Sequence, residues 1–70
     1  MKYNLRQLQI FLSIARYENI SKAAEQLQMS QSAASSALQT LEQAFNLSLF
    51  NRTGKKLELN EVGKTLRNKA

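Results

Sequence analysis

The sequence predicts a mainly α domain of three helices followed by a small β-hairpin and the start of a further helix. Three observations predict it. Apolar residues recur at helical spacing in three segments before residue 46 and again from Val62. A short polar residue suited to capping stands just before each of these segments, and another, Asn60, stands before the last. Between Leu47 and Leu59 the leucines change to an alternating pattern around Gly54.

The first helix is expected from Leu5 to Tyr17. Asn4 is placed as its N-cap, Gln7 completes a capping box, and Tyr3 with Leu8 has the spacing of a hydrophobic staple. Leu5, Leu8, Phe11, Leu12 and Ala15 share the face expected to meet the core. Ile10, Ile14 and Tyr17 form a second apolar stripe with two readings: wider burial within the domain, or contact with a later helix or a second subunit. Ser21 is read as the next N-cap, opening a short helix from Lys22 to Gln28 with Ala23, Ala24 and Leu27 inward. Gln28, Met29 and Ser30 form the connection, and Ser30 caps a third helix. Two helices joined by so tight a turn, with alanine in the contact positions, have the spacing of a helix-turn-helix.

The third helix is expected over Gln31 to Phe45. At 100° per residue Ala34, Ala37, Leu38, Leu41, Ala44 and Phe45 fall within about 80° of one direction, a buried stripe. Ser32, Ser35, Ser36, Gln39 and Gln43 gather on the opposite side, and no charge occurs from Gln31 to Thr40. A solvated helix face ordinarily carries Lys, Glu and Arg, whereas the first acid here is Glu42. Two readings of this face therefore stand: the solvated side of a helical bundle, or a surface cleared of acids and bulk so that a polyanion can approach.

After Asn46, Leu47 and Leu49 and then Leu57 and Leu59 alternate as strand residues, with Asn51 to Lys55 as the turn. The tip carries Arg52, Lys55 and Lys56 and no acid. Asn60 caps a last helix in which Val62, Leu66 and Ala70 recur every four residues. The pattern is still running at Ala70, so a longer protein is expected.

Composition narrows the chemistry. A chain of 70 residues makes one domain, able to bury about 60% of its unfolded surface. Ten Lys and Arg against five Glu, with no Asp, give a net charge of +5 and favour an anionic partner, most simply nucleic acid. The absence of Cys and His removes disulfides, the usual zinc ligands and the commonest general base. Glu18, Glu25, Glu42, Glu58 and Glu61 are dispersed rather than paired, so no enzyme, metal or cofactor is expected. No apolar run approaches the roughly 18 residues of a membrane span, and the N-terminus lacks the apolar middle of a signal peptide. A cytoplasmic protein without a membrane partner is the expectation.

A helix entering a major groove needs short, uncharged hydrogen-bonding side chains near its N-terminus, so that its backbone can approach the bases. Ser32, Ser35, Ser36 and Gln39 have that character, and Gln31 adds an amide able to pair bidentately with adenine N6 and N7. Lys22, Arg52, Lys55 and Lys56, with Ser30 and Thr53, are the candidate phosphate contacts beside such a groove. Basic hairpin tips are common on soluble proteins, so this tip takes its meaning from its neighbours.

Four motifs agree in order and spacing with a known family: "LRQLQIF" in the first helix, "SKAAEQLQMSQSA" across the turn, "LEQAFNLSLFNR" into the hairpin and "LELNEVG" into the last helix. Across nearly its whole length the chain resembles the winged helix-turn-helix DNA-binding domain of LysR-type bacterial transcriptional regulators. The resemblance implies a recognition helix entered through Gln31, with Ser32, Ser35 and Ser36 facing the major groove of double-stranded DNA. It implies wing residues, here Arg52 and Lys55, on the backbone or minor groove. It also implies a linker helix from near Glu61 that pairs two subunits, and a larger effector-binding domain beyond. Residues 1–60 are accordingly expected as the DNA-binding domain and residues 61–70 as the start of the linker or dimerisation helix. The family usually has Pro at the place of Ser32 and often Arg or Lys at the places of Ser36 and Gln39 or Thr40. This chain has none of these, which shifts affinity toward the wing and dimerisation.

A rival from another class is a helical interaction module, for which Ile10, Ile14 and Tyr17 and then Val62, Leu66 and Ala70 are the grounds. A homodimeric regulator needs the same stripes. Single-stranded nucleic acid would need exposed aromatic platforms, whereas Phe11, Phe45 and Phe50 fall in apolar patterns.

Overall fold

Asn4 starts the first helix, α1 (Leu5–Tyr17). Its Oδ1 accepts from the Gln7 N–H at 2.8 Å, and Gln7 Oε1 accepts from the Asn4 N–H at 3.1 Å, the reciprocal capping box predicted from the sequence. The computed structural model describes residues 4–54 and 56–69, so the expectations placed on Tyr3, Lys55, Ala70 and the Arg52 side chain lie outside the described residues.

The buried arc of α1 is rotated from the expected one. Ile10, Phe11 and Ile14 are at most 2% exposed, Leu5 is 71% exposed, and Leu8, Leu12 and Ala15 are partly buried. The cause is position: α1 packs against two helices and a strand at once, so its inward arc is wide and centred between the two stripes. Ile10 and Ile14 are core residues, and the expectation that they meet a second subunit is corrected. Tyr17 packs at the margin of the same core.

Glu18 ends α1 in the left-handed conformation (φ 54), and Asn19, extended, at once becomes the N-cap of α2 (Ile20–Gln26), its side chain accepting from the Lys22 N–H at 3.0 Å. The cap is thus Asn19 and not Ser21. Both residue types suit the role; the abrupt end of α1 brings Asn19 into position first. Ala23 and Ala24 face inward as expected. After α2 the chain reverses through Gln28, left-handed at φ 56, with the Met29 N–H donating to the Ala24 carbonyl at 2.9 Å.

Ser30 caps α3 (Gln31–Phe45), its Oγ accepting from the Ala33 N–H at 3.1 Å. Ala34, Leu38 and Leu41 are buried, and Ala37 and Phe45 pack beside them. Ala23, Ala24 and Ala34, at most 2% exposed, leave room for α2 and α3 to lie close.

The hairpin differs from its expected outline. β1 (Phe50–Thr53) pairs antiparallel with β2 (Lys56–Leu59) in the register Phe50 to Leu59, Asn51 to Glu58, Arg52 to Leu57 and Thr53 to Lys56. The ladder therefore reaches Thr53 and Lys56, closer to the tip than the expected turn of Asn51 to Lys55, and Gly54 follows β1 at φ +62, a conformation that costs glycine little. Leu47 is 53% exposed and precedes the ladder, and Leu49 is buried just ahead of it. That loop is held by side chains instead. Glu42 Oε2 accepts from the Leu49 N–H at 2.7 Å and from Ser48 Oγ at 3.3 Å, and Asn60 Nδ2 donates to the Ser48 carbonyl at 2.6 Å.

The hairpin is fixed to the helices at two points. Phe50 meets Phe11 with ring centroids 5.6 Å apart and planes tilted by 55°, and the Leu57 N–H donates to the Glu18 carbonyl at 3.0 Å. Asn60 Oδ1 accepts from the Gly63 N–H at 2.8 Å and so caps α4 (Glu61–Lys69), as predicted. Val62 and Leu66 pack against the core from outside.

Candidate nucleic-acid interface

The two faces of α3 are chemically separate. Ala34, Leu38 and Leu41 anchor one in the core, which leaves Gln31, Ser32, Ser35, Ser36 and Gln39 exposed on the other. These five line a single shallow depression of about 400 Å³. Thr40 turns its hydroxyl back to the Ser36 carbonyl at 3.0 Å. Glu42, the acid on this helix, spends its carboxylate on the Leu49 amide and Ser48 hydroxyl.

A second cleft, of about 270 Å³, opens beside the first turn of α3 and is lined by Asn19, Ile20, Ser21, Gln31, Gly54, Lys56 and Leu57. Gln31 borders both hollows. The start of α2, the start of α3 and the hairpin thus converge on one residue. Lys22 is exposed on α2, and Lys56 and Thr53 are exposed and paired at the outer end of the hairpin. Ser30 uses an Oγ lone pair for its cap, which leaves its O–H as a donor.

The remaining predicted residues divide. Ile10 and Ile14 are enclosed, Tyr17 is partly buried with the Arg16 guanidinium 5.6 Å from its ring centroid, and Val62 and Leu66 border an apolar groove with Phe45, Leu49, Thr65 and Lys69. Sequence reasoning gave Asn19 no role and read Ser21 as a cap only. Ser21 Oγ donates to Gln31 Oε1 at 2.8 Å, a contact open to it because Asn19 takes the cap. The signal was present in two cap-suited residues standing two apart.

No buried polar side chain occurs among the described residues, and no group of three or more His, Cys, Asp or Glu among them could hold a metal. No helix of the described residues is long and apolar enough to cross a membrane. What the surface offers is hydrogen bonding from a helix face, with cations at its flank.

Three helices, the second and third joined by a tight turn, and a hairpin set against them define a winged helix-turn-helix domain. The chain belongs to the lysR family of bacterial regulatory helix-turn-helix proteins, whose family model matches residues 5–64. It is 44% identical over 64 residues to the RuBisCO operon transcriptional regulator of Allochromatium vinosum, an alignment covering 91% of this chain and 21% of that protein. A LysR-family transcriptional regulator from Eggerthella lenta DSM 2243 has the same fold, with a TM-score of 0.88, 33% identity and 94% of each chain covered. The CbnR_DBD–DNA complex matches with a TM-score of 0.86 and 30% identity, covering 93% of this chain and 76% of that one. The chain spans about a fifth of the length of the curated relatives it matches.

Proposed function

We propose that the chain is a sequence-specific, double-stranded DNA-binding domain of a bacterial transcriptional regulator and not an enzyme. The observation that carries this is the face of α3, where Gln31, Ser32, Ser35, Ser36 and Gln39 are exposed, contiguous and uncharged on a chain of net charge +5. In this reading α3 enters the major groove, its short side chains let the backbone approach, and its amides and hydroxyls read base edges. Its first-turn N–H groups and partial positive charge face phosphate. Lys22, Ser30, Thr53 and Lys56, together with Arg52 and Lys55, hold the backbone or minor groove and fix the register without reading sequence. The fold shared with a relative seen bound to DNA supports this assignment.

The regulator acts in the cytoplasm as a homodimer on two half-sites about one helical turn or more apart. Residues 1–60 form the binding domain and residues 61–70 begin the helix that joins two subunits. Val62 and Leu66, half-buried beside an open apolar groove, and the partly buried Tyr17 are the residues left for that contact once Ile10 and Ile14 are assigned to the core. The same burial weakens the rival reading as an interaction module, which drew half its support from them.

Selection of bound duplexes from a random pool tests the reading. The wild-type chain should enrich a defined sequence, and Gln31→Ala combined with Ser35→Ala should abolish the preference while leaving weak, salt-sensitive binding. Undiminished discrimination by the double variant would remove α3 as the reader.

A further inference from the structure

Ser21 Oγ donates to Gln31 Oε1 at 2.8 Å, joining residues ten apart in the chain and on successive helices. Both are exposed, both line the cleft beside the hairpin, and Gln31 continues into the depression of α3. Ser21 is available because Asn19 takes the cap of α2, and the buried Ala23, Ala24 and Ala34 let the two helices approach. Two exposed polar groups could each be satisfied by water, so this bond adds little stability. Its effect is on orientation.

A primary amide has two unlike ends, an oxygen that accepts and an amino group that donates. Which end meets a base edge decides what is read. We infer that Ser21 holds the Gln31 amide in one pose, so that the same end of it is presented to a base edge in every complex. Gln31 then discriminates at one base pair instead of turning to suit either adenine N6 and N7 or guanine O6 and N7. The inference rests on the proposed DNA-binding reading and refines it. Ser21 is a positioning residue that acts through Gln31.

The test reads base preference position by position, from a random duplex pool, for wild type, Gln31→Ala, Ser21→Ala and Ser21→Thr of the 70-residue chain. Gln31→Ala marks its base pair as the one where preference disappears. At that pair wild type and Ser21→Thr should favour one base pair over the others by about fivefold or more, and Ser21→Ala should lose that ratio. Other pairs, the salt dependence and the melting temperature should not move. The inference is overturned if Ser21→Ala keeps the ratio, or if Gln31→Ala flattens no pair. It is also overturned if Ser21→Ala weakens all duplexes equally and lowers the log-log salt slope by about 0.9, which marks a phosphate contact. Those results leave DNA binding standing. A wild-type chain without preference among duplexes overturns the DNA-reading assignment itself, and this inference with it.

Discussion

Gly63 on α4 lies against the backbone carbonyl of Leu49, with the Leu59 side chain beside it. A Cβ at position 63 would overlap the Leu49 oxygen and stand 2.7 Å from Leu59 Cδ2. The Leu49 carbonyl has little freedom to yield, because it accepts from the Asn60 N–H at 3.1 Å while the Leu49 N–H is bound to Glu42. Alanine would gain about 1 kcal/mol of helix propensity at such a site, but overpacking against fixed backbone costs about 1–3 kcal/mol. Gly63→Ala should lower the melting temperature, by roughly 4–8 °C for each kcal/mol of net loss. A melting temperature equal to or above wild type would show that α4 is not seated on Leu49.

The carboxylate of Glu42 is the acceptor for a part-buried backbone N–H. Removing it in Glu42→Ala leaves that donor unmatched, a loss of about 1–3 kcal/mol. The urea midpoint should fall, and hydrogen exchange at the Leu49 amide should accelerate. Unchanged protection of that amide would count against the clamp.

Ile14 is fully enclosed, so Ile14→Ala should cost about 2–5 kcal/mol as a core truncation. A domain of this length has a total stability on the order of 4–10 kcal/mol. The loss should be the same at low and high protein concentration. A loss that vanishes on dilution would restore Ile14 to a subunit contact.

Lys22 and Lys56 flank the α3 face from different elements. Lys22→Ala and Lys56→Ala should each weaken duplex binding evenly across sequences and lower the salt slope by about 0.9. Titrations at two salt concentrations, on a selected and a scrambled duplex, check this. A change in site preference with an unaltered slope would make the lysine a base reader instead.

The elements read well from sequence were those set by neighbours within four residues. Asn4 with Gln7, Ser30 with Ala33, and Asn60 with Gly63 are local hydrogen bonds between residues three apart, so the starts of α1, α3 and α4 stood in the residues themselves. The apolar stripe of α3 was equally plain, because one helix face is filled with Ala and Leu and the other with Ser and Gln. That separation placed the five candidate reading residues on one surface before any fold was known.

Errors came where two local solutions competed and distant packing chose between them. Asn19 and Ser21 both suit a cap, and the left-handed turn at Glu18 decided for Asn19. Leu47 and Leu49 alternate like strand residues, but Glu42 and Asn60 claim that loop, and the ladder starts at Phe50. Ile10 and Ile14 form a stripe that could have faced outward had α1 not been enclosed on several sides.

The amino-acid sequence by itself determined the class of domain, its helix starts and the uncharged character of the α3 face, since these follow from periodicity and short-range capping. Only the tertiary structure decided which apolar stripe is core, where the hairpin pairs, and that Ser21 meets Gln31. Those relationships join residues far apart in the chain, and the packing of whole elements, not the preference of any one of them, sets the distance between them.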